Sequence, residues 1–318
     1  MKNATLSLLA CLTWATSSSQ AAAPLLTAER TESGVRVLLD GKVFTEYFGA
    51  GAQRPYLYPI IGPSGANLAR PYPMEKGGAE DHPHHRSLWF AHGNVNGVDF
   101  WADGDKHGRQ VHAEVKSLST ESGKVAFTTT TNWLSSGGDP MLTDERNITI
   151  SAGEDNSRRI DFAITLKASH GEVVFGDTKE GTFAMRVCPS LSFEGEGAQG
   201  HIVNSNGKKD KSVWGKPAPW VTYFGPDPKG EPVNITIFDS GTNFRHPTWW
   251  HARTYGLFAA NPFGKHDFEK LEDKTAGNYT LKAGESLTLR YRVLIRAGEP
   301  DAKVLESEFA EMGKSVTP

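Results

Sequence analysis

Cysteine is nearly absent from this 318-residue chain, which contains only Cys11 and Cys188. Cys11 falls in an N-terminal segment of export type, so Cys188 stands alone in the expected mature form and no intrachain disulfide can form. Charge of one sign is lacking as well: 34 basic and 37 acidic residues, mixed along the chain, leave a formal net charge of -3. That gives no electrostatic footprint for nucleic acid or an anionic membrane surface. No apolar run reaches the ~20 residues a membrane-spanning helix needs, which argues against a transmembrane anchor. Internal repeats, low-complexity tracts and a βαβ rhythm are missing too, so an antiparallel β architecture is expected.

What the chain does have is 33 glycines, 18 prolines, 8 tryptophans and 16 phenylalanines, a composition of turns and aromatics that favours many short strands. Lys2, an apolar stretch over residues 4–15 and small residues over 17–23 read as a secretory signal. Residues 1–23 are therefore expected to be removed, leaving 24–318 as a single β-sandwich domain in the periplasm or secreted. A lipoprotein reading is the alternative, because Leu8-Leu9-Ala10-Cys11 would leave Cys11 acylated. Cys188 reads as a small buried hydrophobe on a strand rather than a catalytic thiol.

Residues 35–39 and 42–48 flank Asp40-Gly41, a two-residue hairpin turn. A third strand over residues 56–61 contains Pro59, so it lies at an edge or ends there. From residue 66 to 108 the alternation fails, and a long irregular segment in a compact domain is usually functional. Strand patterns resume at 111–118, 124–134, 146–151, 159–166, 172–175 and 182–187. They continue at 202–204, 220–224, 233–238, 256–260 and 286–295, and alternation is clearest at Ile160, Phe162, Ile164 and Leu166. Pro300, with Val304, Leu305, Phe309 and Met312 at helical spacing, predicts a helix over 300–312. The expected fold is all-β: a large antiparallel sandwich with a short C-terminal helix and a concave face able to hold a pocket.

Within the irregular segment, residues 81–101 concentrate His82, His84, His85, His92, Asp81, Asp99, Arg86, Trp89 and Trp101. This run is too polar for a buried strand and too aromatic for a plain loop, so it reads as the wall of a concave site. Residues 177–182 form a charged turn between apolar strands, and residues 243–255 repeat the mixture of His, Trp and Arg. Tryptophan faces suit the C–H faces of a sugar ring, while neighbouring polar groups satisfy hydroxyls that would otherwise cost ~1–3 kcal/mol each to bury.

Acid/base work on a sugar needs a histidine and a carboxylate on opposite sides of the ring. The candidate catalytic residues are His84, His85, His246 and Glu180. The candidate substrate-binding residues are Arg86, Trp89, Asn96, Asp99, Trp101, Asp177, Lys179, Trp249, His251 and Arg253, the arginines being suited to a carboxylate or carbonyl. Taken singly, each tryptophan reads more plainly as core and each histidine as a structural hydrogen-bonder; the argument rests on their co-occurrence. A metal site is the alternative, built from His82, His84, His85, His92, Asp81 and Asp99, although no cysteine pattern or His-Glu-x-x-His accompanies it. A sugar-binding protein without catalysis is the third reading. No cofactor is expected, and the partner is a small sugar or oligosaccharide.

The runs Asp81-His82-Pro83-His84-His85-Arg86-Ser87-Leu88-Trp89, Asn96-Gly97-Val98-Asp99-Phe100-Trp101, Phe175-Gly176-Asp177-Thr178-Lys179-Glu180-Gly181 and His246-Pro247-Thr248-Trp249-Trp250-His251-Ala252-Arg253-Thr254-Tyr255 closely resemble a secreted bacterial family labelled PmoA-like or methane oxygenase. The resemblance covers nearly all the mature chain. The chemistry in that label belongs to a membrane subunit, and this chain lacks spanning segments. The β-rich layout is more loosely similar to the galactose-mutarotase superfamily of sandwiches, which implies sugar binding on a concave sheet.

Overall fold

The computed structural model describes residues 24–77 and 80–314; the expected signal segment and Cys11 lie outside them. The first strands are β1 (Leu26–Arg30), β2 (Gly34–Leu39), β3 (Lys42–Phe48), β4 (Tyr56–Tyr58), β5 (Leu88–His92) and β6 (Arg109–Glu121). β7 (Lys124–Leu134), β8 (Pro140–Ala152), β9 (Arg158–Lys167), β10 (Val173–Phe175), β11 (Gly181–Arg186) and β12 (His201–Asn204) follow. The chain continues through β13 (Trp220–Pro226), β14 (Pro232–Asp239), β15 (Trp249–Ala252), β16 (Leu257–Asn261), α1 (Lys265–Glu269), β17 (Tyr279–Leu281), β18 (Ser286–Ala297) and α2 (Ala302–Lys314).

One eight-stranded sheet runs β1-β2-β3-β4-β5-β11-β16-β15, and a second runs β12-β13-β14-β18-β9-β8-β7-β6, with β10 and β17 forming a separate ribbon. Neighbouring strands pair antiparallel throughout, as across β5–β11 and β9–β18. The sheets face each other across one apolar cluster that draws on both. Phe183 of β11 stacks on Tyr291 of β18 at 4.6 Å, and Phe90 of β5 meets Trp133 of β7 at 6.3 Å. Burying a side chain of this size is worth about 1.5–3 kcal/mol, so many such contacts together hold the layers.

Strand alternation places these residues. In β9, Ile160, Phe162, Ile164 and Leu166 are buried and their neighbours only partly so. The Asp40-Gly41 turn has φ of 50° and 74°, the paired positive values that a two-residue hairpin requires. The third strand ends at Tyr58, before Pro59, and lies between β3 and β5 rather than at an edge. The C-terminal helix covers the outside of the second sheet: Leu305 and Met312 pack on Trp220, Phe238 and Leu294.

Residues 81–101 differ from expectation, because they contain β5, a fully buried strand. Leu88 and Phe90 enter the inter-sheet core while Trp89 and Ala91 join a second apolar cluster on the opposite face. A sheet covered on both sides shows no polar face, so period-2 alternation disappears from its sequence. β15 lies within the second His/Trp/Arg cluster for the same reason, with all four residues buried.

Candidate active site on the outer face of the first sheet

Directly opposed residues on neighbouring strands share a face. The register aligns Tyr56, Trp89, Ala184, Ala259 and His251 in one row across β4, β5, β11, β16 and β15. Three strand spacings put Trp89 and His251 about 14 Å apart at the backbone. The two alanines between them carry nothing beyond Cβ, so aromatic rings lie down against the sheet there: Trp89 and Trp101 pack with Ala184 and Ala259, joined by Tyr255. Asp99 positions Trp101, since its Oδ1 accepts the backbone N–H groups of Trp101 at 2.6 Å and Ala102 at 3.1 Å.

Over this layer sits a set of near-parallel rings. His85 stacks on Trp89 (5.7 Å), His82 on His85 (4.7 Å) and Tyr255 on His82 (5.2 Å). Two buried arginines clamp the irregular backbone that presents the histidines. Arg70 donates to the carbonyls of Asp81 and His82, each at 2.9 Å. Arg54 donates to the carbonyls of His84 and Ala102, each at 2.8 Å, and to Asp103. Asp103 also accepts from Arg86, so one carboxylate ties two cations to this wall.

The opposite end of the row carries Glu180. Its turn is pinned from several sides: Asp177 accepts the backbone N–H groups of His266 (2.8 Å) and Gly277 (2.6 Å), and Asp267 accepts that of Lys179. Glu180 thus reaches His251, with Oε2 4.0 Å from Nδ1, and its Oε1 lies 3.3 Å from Lys179 Nζ. The Glu180 side chain is 34% exposed against 3% for that of His251, so solvent meets the carboxylate first.

Burial keeps the imidazoles neutral. His251 is held down to about 3 by burial, with the charges of Arg253 and Lys179 adding to it. His84 is lowered to about 4 by burial and then by Arg54. His85 is depressed by burial and by its cationic neighbours, including Arg186. A neutral imidazole offers one donor and one acceptor nitrogen, as proton transfer requires.

Of the sequence-expected residues, His84, His85, Trp89, Trp101, Glu180, His251 and Arg253 gather on this face, with Arg86 and Lys179 beside them. Trp249 shares the outward side of β15 with His251 and donates from Nε1 to Glu269. Others do not gather there. His246 is instead engaged by Phe309 of α2 and by Asp239, whose Oδ2 lies 2.7 Å from its Nδ1. Asn96 closes a turn through Val174 and Glu172, while Asp177 and Asp99 spend their oxygens on backbone N–H groups.

The metal alternative is not matched by the geometry. His92 is enclosed by Phe175 and Phe263, and its Nε2 lies 2.8 Å from the Gly176 carbonyl. Among the described residues no three His, Cys, Asp or Glu side chains are grouped to hold a metal ion.

Arg54, Arg70 and Arg186 escaped the reading of the sequence as site residues, and Tyr255 was reached only as the end of the 243–255 cluster. Arg186 did leave a signal, a lone cation at the end of an apolar strand. It lies over the Tyr255 ring at 4.5 Å and, with Asp81, Arg70 and Tyr255, lines an adjoining cavity of about 580 Å³.

The DUF6807 family model, described as a family of unknown function, matches residues 34–310. That description carries no methane-oxygenase designation. No curated protein matches the chain. Among solved structures, the chain is similar to a GalM/aldose epimerase homologue from C. elegans, with 8% identity and a TM-score of 0.33 over 87% of this chain and 100% of that one. It is also similar to galactose 1-epimerase from Lactobacillus acidophilus NCFM, with 9% identity and a TM-score of 0.37 over 87% and 99%. A galactose mutarotase related enzyme from Lactobacillus acidophilus gives 11% identity and a TM-score of 0.29 over 86% and 98%.

Proposed function

Because the chain belongs to the DUF6807 family, whose function is unknown, we propose its activity from the site itself: acid/base chemistry on a sugar or sugar derivative, carried out on the outer face of the first sheet. The observation that carries this reading is the pairing of Glu180 with the buried, neutral His251 at 4.0 Å. Glu180 is the group that meets the substrate and takes up or returns a proton. His251 stands behind it as a positioning residue, and contacts of this length tighten when a ligand closes the site. The proton partner comes from the opposite wall, where His82 and His84 are accessible to solvent and His85 is closed off. Tyr255 and the exposed edges of the ring stack offer apolar faces for a pyranose. The export-type pattern of residues 1–23 supports a reaction in the periplasm or the exterior.

Loss of a positioned proton-transfer group costs about 10²–10⁴-fold in rate. Turnover of a panel of aldoses, glycosides and sugar acids by Glu180→Gln, followed by NMR of the products, should therefore fall at least 10²-fold with the melting temperature retained. Unchanged turnover would remove Glu180 from the mechanism. Ligand binding without turnover in the unaltered protein would favour the non-catalytic reading.

A further inference from the structure

Arg186 leaves most of its chemistry unused. Its guanidinium carries five N–H donors in a fixed fork, and the residue is only 6% exposed. Two long contacts, Nη1 to His85 Nδ1 and Nη2 to Asp81 Oδ2, both at 3.5 Å, are its hydrogen-bonding contacts. Nε is buried with no partner among the described residues, as are those of Arg54, Arg70 and Arg86, so the difference lies at the terminal nitrogens. A buried charge is tolerated when it is paired and hydrogen-bonded, and Arg186 is neither to full measure. The neighbouring arginines differ. Arg54 and Arg70 are bound to backbone carbonyls and a carboxylate. Arg86 is bound to Asp103, while Arg253 shares the face of Tyr255 with Arg186.

The cavity of about 580 Å³ opens beside this spare fork. At its inner end two guanidiniums, Arg70 and Arg186, face one carboxylate, Asp81, which leaves one positive charge uncompensated. The acids at the rim are exposed: Glu194 pairs with Lys211, while Glu75, which accepts from the Tyr58 hydroxyl, and Glu196 keep their negative charge at the mouth, with Lys76 on the same rim. Burial and the nearby Arg70 push the Arg186 guanidinium down to about 10, the same conflict seen electrostatically.

We propose that the cavity receives a carboxylate carried by the substrate, bound bidentately by Arg186, so that the substrate is an acidic sugar such as a uronate or aldonate. Planar, two-point recognition of a carboxylate is what a guanidinium fork does best. Asp81 beside Arg186 favours a monoanion and opposes a dianion such as a phosphate ester. Tyr255 borders this end and the ring stack of the catalytic face, stacking on His82 and lying beneath Arg186 and Arg253. The inference rests on the acid/base reading of the same site and names its substrate class.

The test is isothermal titration on Glu180→Gln protein, in which turnover does not interfere. The probes are glucuronate, galacturonate and gluconate, each compared with its neutral amide. At least one acid should bind tenfold or more tightly than its amide, and adding Arg186→Gln should abolish that preference. Equal affinity for acid and amide, no binding of any acid, or a preference that survives the change at Arg186 would each overturn the proposal. If Arg186→Gln fails to fold, Arg186→Lys decides: it keeps the charge and loses the fork, so a tenfold loss for the acid supports the assignment and an unchanged affinity refutes it. Acid preference with turnover insensitive to Glu180 would keep this inference and remove the Glu180 mechanism. Glu180-dependent turnover of neutral sugars with no acid preference would do the reverse.

Discussion

His251 Nδ1 stands 4.0 Å from Glu180 Oε2, a buried imidazole behind a carboxylate that solvent reaches. His251 lies on β15, and Glu180 on the pinned turn that leads into β11, with β16 between the two strands. Their separation suits a contact that closes when substrate excludes water.

His251→Asn should lower kcat by about 10–100-fold with little change in KM, because an interaction realised in the transition state is lost while binding contacts remain. His251→Gln, which restores a donor at longer reach, should recover part of the loss. Steady-state kinetics on both variants checks this. A rise in KM with kcat intact would assign His251 to binding instead.

His246 gives the contrasting case. Its partners are the buried Asp239 at the end of β14 and Phe309 of α2, so His246→Asn should leave kcat and KM within about twofold. Thermal melting should show a loss of about 1 kcal/mol, the scale of one hydrogen bond. A rate loss comparable to that of Glu180→Gln would place His246 in the chemistry.

Stability should fall as the solution is acidified below neutrality. His92 is held down to about 4 and His251 to about 3, both by burial first, whereas the unfolded chain titrates its histidines near 6.5. The unfolded state therefore binds more protons through the interval from about pH 6.5 to 4, and stability is lost as pH falls through it. At pH 5 the loss should be about 2 kcal/mol for each of these two residues, one pKa unit being worth ~1.4 kcal/mol. Urea titrations at pH 7 and pH 5 measure it. His92→Gln, by removing one such group, should flatten the dependence.

Arg54→Ala should destabilise the protein by about 3–5 kcal/mol, the cost of breaking a buried pair by removing one partner. Arg54 is fully buried and bridges the His84 and Ala102 carbonyls to Asp103. Arg86→Ala removes only the partly exposed member of the same network and should cost about 1 kcal/mol or less. Equilibrium denaturation of the two variants compares them directly, and equal losses would mean that Arg54 is not the clamp.

The strands were legible where one face is polar. Ile160, Phe162, Ile164 and Leu166 announce β9 because their neighbours stay partly exposed. The same rule hid β5 and β15, where Trp89, Ala91, Trp249 and His251 are buried opposite an apolar core. The segments that build the site were also legible, through lapses in alternation and clusters of His, Trp and Arg. Which members of those segments meet was not. His246 and His251 have similar local surroundings in sequence, yet the first faces α2 and the second faces Glu180. Arg186 shows only as a cation ending an apolar strand, and nothing nearby in the chain reveals that its fork has only two long contacts.

By itself the sequence determined the β architecture, the hairpin at Asp40-Gly41, the C-terminal helix and the stretches from which a site must come. Each of these follows from periodicity or turn chemistry within a few residues. The tertiary structure decided that Glu180 pairs with His251, that Arg54 and Arg70 clamp the histidine wall, and that Arg186 faces a cavity. Those relationships join residues on strands far apart in the chain, and sheet order and register set them. A local pattern specifies which face a side chain takes but not what lies across from it.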